Sequence, residues 1–143
     1  MKLIRKSKFT RRFYDENQAL IKSIWLLSTE FMTDVRYRQE MLSAVELVKK
    51  YPCKYFLADT TWFKYVISPD LQDWTATHIA EAIANLGVMR FAYIIPEEYI
   101  SSLSVEQTVE EADQLKVNKP YHLAYFYTEE EAREWLFHSQ PES

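Results

Sequence analysis

Ala58-Asp59-Thr60-Thr61-Trp62-Phe63-Lys64-Tyr65-Val66-Ile67-Ser68-Pro69-Asp70-Leu71-Gln72-Asp73-Trp74 decides the reading of this chain. The apolar run Tyr55-Phe56-Leu57-Ala58 enters it as a short buried strand, a polar and aromatic loop follows, and a capped helix leaves it. The helix start is written in three residues: Ser68 at the N-cap, Pro69 at the first helical position, and Asp70 near the positive end of the helix dipole. A strand, a loop at its carboxyl end and a returning helix make the unit in which α/β domains place their working surface.

Outward from this unit, each switch of hydrophobic period marks another element. On the carboxyl side Leu71, Trp74, Ile79, Ala82, Ile83 and Leu86 form one helical stripe. Gly87, the single glycine of the chain, stands just after it, where a left-handed cap needs a residue without a Cβ. Val88-Met89-Arg90-Phe91-Ala92-Tyr93-Ile94-Ile95 is then a strand whose apolar density suits a sheet covered on both faces. Ser104 with Gln107 fits a capping box for a helix through about Gln114, and Tyr121-His122-Leu123-Ala124-Tyr125-Phe126-Tyr127 is a last strand. Thr128 with Glu131 opens a final helix with Ala132, Trp135 and Leu136 facing inward.

On the amino side, Thr33-Asp34 caps a helix through about Lys50, its inward residues read as Val35, Met41, Leu42, Val45 and Val48, with Pro52 closing it. Before it, Phe9-Thr10-Arg11-Arg12-Phe13-Tyr14 and Ala19-Leu20-Ile21-Lys22-Ser23-Ile24-Trp25-Leu26 flank the polar turn Asp15-Glu16-Asn17-Gln18 and form an antiparallel pair. The order ββαβαβαβα predicts an α/β domain: a mostly parallel five-stranded sheet with an antiparallel edge strand, covered by about four helices. No linker or repeat divides residues 1–143, so one domain is expected.

Composition narrows the function classes. A chain of 143 residues with 48% hydrophobic and 27% charged positions can bury its own core. A net charge of -4 argues against nucleic acid or an anionic membrane as partner, both of which favour a basic face. The basic cluster Lys2, Arg5, Lys6, Lys8, Arg11, Arg12 reads as a solvated terminus leading into an exposed strand. Cys53 is the single cysteine, so no intrachain disulfide is expected, and beside Pro52 it reads as a small buried residue. With neither a signal-peptide core in residues 1–12 nor a stretch apolar enough to span a bilayer, the expected location is the cytoplasm.

Chemistry-bearing motifs are missing from the sequence. His78, His122 and His138 stand far apart, and neither a His-Glu-x-x-His pair nor a Cys-x-x-Cys occurs, so no metal site of recognisable spacing is expected. One glycine cannot build a P-loop or a dinucleotide fingerprint, and no nucleophile elbow is present. The paired carboxylates Glu97-Glu98, Glu110-Glu111 and Glu129-Glu130-Glu131 read as solvated faces and helix starts, since sequence neighbours point to different sides of a helix. The expectation is a protein without catalytic residues or cofactor.

What remains is aromatic: ten Tyr, eight Phe and four Trp exceed what a core of this size requires. Around the loop, Trp62, Phe63, Tyr65 and Trp74 suit a partner surface or a cleft for an apolar ligand, or equally serve to plug the gap between helix and sheet. If the segment is extended, Trp62, Lys64 and Val66 face opposite to Phe63, Tyr65 and Ile67, so one core cannot bury both sets. The candidate binding residues are therefore Asp59, Thr60, Thr61, Trp62, Phe63, Tyr65, Ser68, Asp70 and Trp74.

The strand ending in Leu57-Ala58-Asp59-Thr60-Thr61, the helix from Ser68-Pro69, the Leu86-Gly87-Val88 return and the terminal Thr128-Glu129-Glu130-Glu131-Ala132-Arg133-Glu134-Trp135-Leu136 helix resemble the STAS domain. The likeness is to the stand-alone, Bacteroidetes-type STAS-like proteins related to anti-sigma-factor antagonists and to the CRAL-TRIO lipid-binding fold. In anti-sigma-factor antagonists a serine at the start of the helix after the aspartate-ended strand is phosphorylated, which switches partner binding off. The resemblance thus implies a role for Asp59 as that aspartate and makes Ser68 a candidate phosphosite. Here Ile67-Ser68-Pro69-Asp70 replaces the family's aspartate, paired serines and glycine, and a phosphate at Ser68 would be opposed by Asp70 and Asp73. Two readings follow: a non-catalytic module that binds a protein partner or self-associates, and, from the CRAL-TRIO kinship, a carrier or sensor of a small lipophilic ligand.

Overall fold

The computed structural model describes residues 1–96 and 121–138. Six strands form one mixed sheet in chain order: β1 Lys2–Lys6, β2 Thr10–Asp15, β3 Leu20–Trp25, β4 Tyr55–Asp59, β5 Arg90–Ile94 and β6 His122–Phe126. The β1–β2 and β2–β3 pairings are antiparallel, and the β3–β4, β4–β5 and β5–β6 pairings are parallel. The α/β class stands, and among the described residues the sheet has six strands where five were expected. Residues 2–6, read as a solvated terminus, pair with β2 through an irregular register between Leu3 and Arg5. The antiparallel strand β2 consequently lies one position in from the edge.

The helices are α1 Asp34–Lys50, α2 Pro69–Trp74, α3 Glu81–Asn85 and α4 Glu129–His138. Between α2 and α3, residues Thr75–Ala80 widen into a π turn, shown by the Glu81 N–H bonding the Ala76 carbonyl, so the single helix expected over 69–86 is three consecutive segments. The Ser104–Gln107 capping box, the helix after it and the carboxylate pairs at 97–98 and 110–111 lie outside the described residues.

Strand order and chain order coincide, so right-handed crossovers from β3 to β4 and from β4 to β5, stepping the same way, place their helices on one face. There α1, α3 and the π turn cover Ile21, Phe56, Ala58 and Phe91. The opposite face, with Leu20, Leu57, Ala92 and Ile94, is covered by Ala132 and Leu136 of α4. The adjacent residues Ile21 and Leu20, or Phe56 and Leu57, serve opposite cores, which is the period of a strand buried on both sides.

Most punctuation is where the residues put it. Thr33 Oγ1 accepts the Arg36 N–H at 3.2 Å, Ser68 Oγ accepts the Leu71 N–H at 3.2 Å, and Thr128 Oγ1 accepts the Glu131 N–H at 3.2 Å. Gly87 has φ +112°, with its N–H on the Ala84 carbonyl and the Val88 N–H directed at that of Ile83, a Schellman ending. Two stripes need correction: Leu86, read as part of the apolar stripe that starts at Leu71, is exposed. Val35 and Leu42 are exposed, while α1 buries Tyr37, Glu40, Ala44, Val45 and Val48. A glutamate thus occupies the inward ridge, because β2 offers it a buried cation.

Candidate functional site

The loop 60–68 leaves the carboxyl end of β4 and is fixed from below. The Thr60 amide and hydroxyl both donate to the Ile94 carbonyl, at 2.9 and 2.7 Å. Asp59 Oδ1 accepts the Thr61 amide at 3.0 Å and its hydroxyl at 2.6 Å, so the aspartate closes a local turn. Farther on, the buried Thr29 Oγ1 donates to the Leu26 carbonyl at 2.8 Å and accepts the Lys64 N–H at 2.9 Å. The 3-10 turn Leu27–Phe31 and the loop are thereby one unit. Thr29 was not among the expected site residues; its signal, a threonine in a short polar break after a strand, is shared by ordinary turns.

Within this frame the residues alternate. Phe63, Tyr65 and Ile67 turn inward onto Phe9, Trp25, Met32, Tyr37 and Leu71. Tyr37 lies at the centre: its ring is 6.2 Å from Trp25 and 6.0 Å from Tyr65, both stacked, and 6.4 Å from Phe63. Its hydroxyl is satisfied by Thr75 Oγ1 at 2.8 Å. Trp62 and Val66 turn outward, 56% and 86% exposed, and Phe31 on the tethered turn is 73% exposed. Lys64 lies over the Trp62 ring at 5.9 Å. Trp74 belongs to the interior set, stacked on His78 with its ring centroid 5.7 Å away and the Arg38 guanidinium 5.5 Å from it.

The expected site residues therefore divide. Trp62 is presented to solvent, with Ser68 and Asp70 exposed at the start of α2; Phe63, Tyr65 and Trp74 support them from inside. Ser68 acts as the cap of α2. His78 Nδ1 lies 3.2 Å from the Trp74 carbonyl, within its own helix.

A second feature lies beneath the helical layer. Arg12, taken from sequence as part of a solvated cluster, is 1% exposed. It faces α1 because Thr10, Arg12 and Tyr14 share that side of β2, an alternation present in the sequence but hidden by the run of basic neighbours. Its Nε donates to Ser23 Oγ at 3.1 Å and its Nη1 to Ser43 Oγ at 2.6 Å; the nearest Glu40 oxygen is 3.9 Å away. Glu40 also accepts from Thr10 Oγ1 at 3.0 Å and faces Arg5 at 3.5 Å. Burial, opposed by Glu40 and reinforced by Arg5, lowers the Arg12 guanidinium to about 10, so it stays cationic at neutral pH. Beside it is a partly enclosed cavity of about 50 Å³, bounded by Phe56, Phe91 and Tyr93 of the sheet and by Thr75 and Ile79 of the π turn.

Burial of Cys53 pushes its thiol up to about 12, against a backbone hydrogen bond with Ile21 that lowers it. That is the opposite of an activated nucleophile. Among the described residues, no group of three His, Cys, Asp or Glu side chains is placed to hold a metal ion, and no helix is long and apolar enough to cross a membrane. Fold and site together define a mixed-sheet α/β protein with an anchored aromatic loop at the carboxyl edge of its sheet. The chain matches no family model, no curated protein and no solved structure.

Proposed function

We propose that the chain is a non-catalytic interaction module of the STAS type that recognises a protein partner through the loop 60–68 and the turn Leu27–Phe31. The observation that carries this reading is Trp62: a large ring held in water by a loop whose backbone is tied down on both sides of it. Trp is the residue type that dominates binding energy when a partner covers it, and an anchored loop loses little entropy on binding. Exposed Phe31, Leu27 and Val66 supply apolar area nearby. The resemblance to the STAS domain supports the same surface, since related proteins meet partners at this strand, loop and helix. For a lipid-sized ligand the support is weaker: the cavity beside Arg12 holds about 50 Å³, well below the roughly 300 Å³ at which small-molecule pockets begin, and a larger space of about 350 Å³ against Phe126 and Trp135 is an open surface groove edged by Glu131, Glu134 and His138.

The test is site-specific photocrosslinking in the native host, with the crosslinker at Trp62 and, as control, at exposed Glu46 on α1. A discrete heteromeric adduct from position 62 alone is expected, and the complex rebuilt from purified partner should weaken at least about tenfold with Trp62→Ala. A complex indifferent to Trp62→Ala, or crosslinks equal at both positions, overturns the proposal. An adduct containing two copies of this chain replaces the partner by self-association.

A further inference from the structure

The cavity beside Arg12 has the composition of a binding site. Among the described residues, two guanidinium groups, Arg5 and Arg12, share the single carboxylate of Glu40. Arg5 is 35% exposed and reaches water, whereas Arg12 does not. The hydrogen bonds of Arg12 go to neutral serine hydroxyls, and its carboxylate contact is long at 3.9 Å. A buried guanidinium is best matched by a carboxylate in direct, paired hydrogen bonds. Arg12 is bonded through Nε and Nη1 but to neutral hydroxyls, so its charge has no directly bonded counter-ion, while the one buried side-chain nitrogen without a partner among the described residues is Arg5 Nε. The space Arg12 borders is mostly apolar, walled by Phe91 and Ile79, with Ser23, Thr75 and Tyr93 the other polar residues of its lining. An independent observation marks the same wall: the covering helix widens into a π turn at Thr75–Ala80, a distortion that recurs at functional sites.

We propose that this cavity binds a small monocarboxylate of the size of acetate or propionate, its carboxylate on Arg12 and its alkyl group against Phe91 and Ile79. Size sets the class. One water needs roughly 10 to 15 Å³ of such volume, so about 50 Å³ holds a ligand of only a few heavy atoms. Charge sets the head group, and the apolar walls exclude a compact, fully hydrated anion. The site is separate from the docking loop and stands or falls without it.

Titration of isotope-labelled protein followed by amide NMR tests it, with sodium propionate compared with sodium chloride and propionamide at matched ionic strength. Saturable shifts at Ser23, Thr75 and Ala80 with propionate alone are expected. Arg12→Met should abolish them, and Ala58→Val, which fills the cavity and leaves the Arg12–Glu40 pair in place, should weaken binding at least tenfold while the fold persists. Non-saturating shifts, an equal response to chloride or propionamide, or unchanged affinity in a folded Ala58→Val variant overturns the proposal.

Discussion

Arg12 and Glu40 place opposite charges where water does not reach, both 1% exposed, and each depends on the other. Removing one partner from a buried pair leaves the other uncompensated, at a cost of about 3–5 kcal/mol, whereas replacing both by apolar groups of similar volume is often neutral. Glu40→Met should therefore lower stability by several kcal/mol in denaturant unfolding, and Arg12→Met with Glu40→Met should recover most of it. With Arg12→Met measured alone as well, a loss in the double variant equal to the sum of the two single losses would mean that the pair is not coupled. Cys53 gives a second residue-scale expectation. Its folded-state pKa of about 12 stands above the unfolded value of about 8.5, so the stability tied to the neutral thiol is complete below the unfolded value. It is lost as pH rises toward 12. A thiol reagent at pH 8 should label the native protein slowly and the urea-unfolded protein at once.

At the scale of elements, α4 is fastened to the sheet at both ends. Ala132 and Leu136 are fully buried, Arg90 donates to the Trp135 carbonyl at 2.9 Å, and Glu129 pairs with Lys22 of β3 and Arg133 of its own helix. Burial alone would raise the Glu129 carboxyl, but hydrogen bonds and charge from Lys22 and Arg133 outweigh it and bring it below the usual value. The sign is that of a depressed carboxylate: stability present above the unfolded pKa, lost as pH falls through the folded one. The group is partly exposed, so Glu129→Gln should cost under about 1 kcal/mol at pH 7 and nothing once the carboxylate is protonated. Chemical unfolding at pH 7 and near pH 2.5 checks this. Elements such as α4 were legible because their signals are local: Thr128 and Glu131 cap it, Gly87 ends α3, and Ser68-Pro69 opens α2. The added strand β1 was not, because Lys2–Lys6 carries three cations whose β pairing is decided by β2. Nor was the π turn, since Leu71, Ile79 and Ile83 fit a regular helix equally well. Glu40 was missed for a related reason: it is buried by a partner on another element.

Across the whole molecule, the residues that hold the fold together are not those of the proposed recognition loop. Leu20, Leu57, Ala92, Ala132 and Leu136, all at 0% exposure, join the sheet to α4, while Trp62 and Val66 at the carboxyl edge are 56% and 86% exposed. Truncating a fully buried leucine removes transfer free energy and leaves a cavity, about 2–5 kcal/mol in all. In a chain of 143 residues, that is a fall in Tm on the order of 5–20 °C. Removing a side chain that already faces water alters stability within about 0.5 kcal/mol, or on the order of 2 °C. Leu136→Ala should thus melt the protein far below the parent, and Trp62→Ala combined with Val66→Ser should melt beside it, as read by thermal unfolding in circular dichroism. The contrast bears on function. If the Trp62 and Val66 pair proved as costly as Leu136, those side chains would belong to the core, and the loop could not be the recognition surface. If the double variant keeps its stability and loses its complex, then the Trp62 ring is held in water for a partner, since no part of the fold needs it.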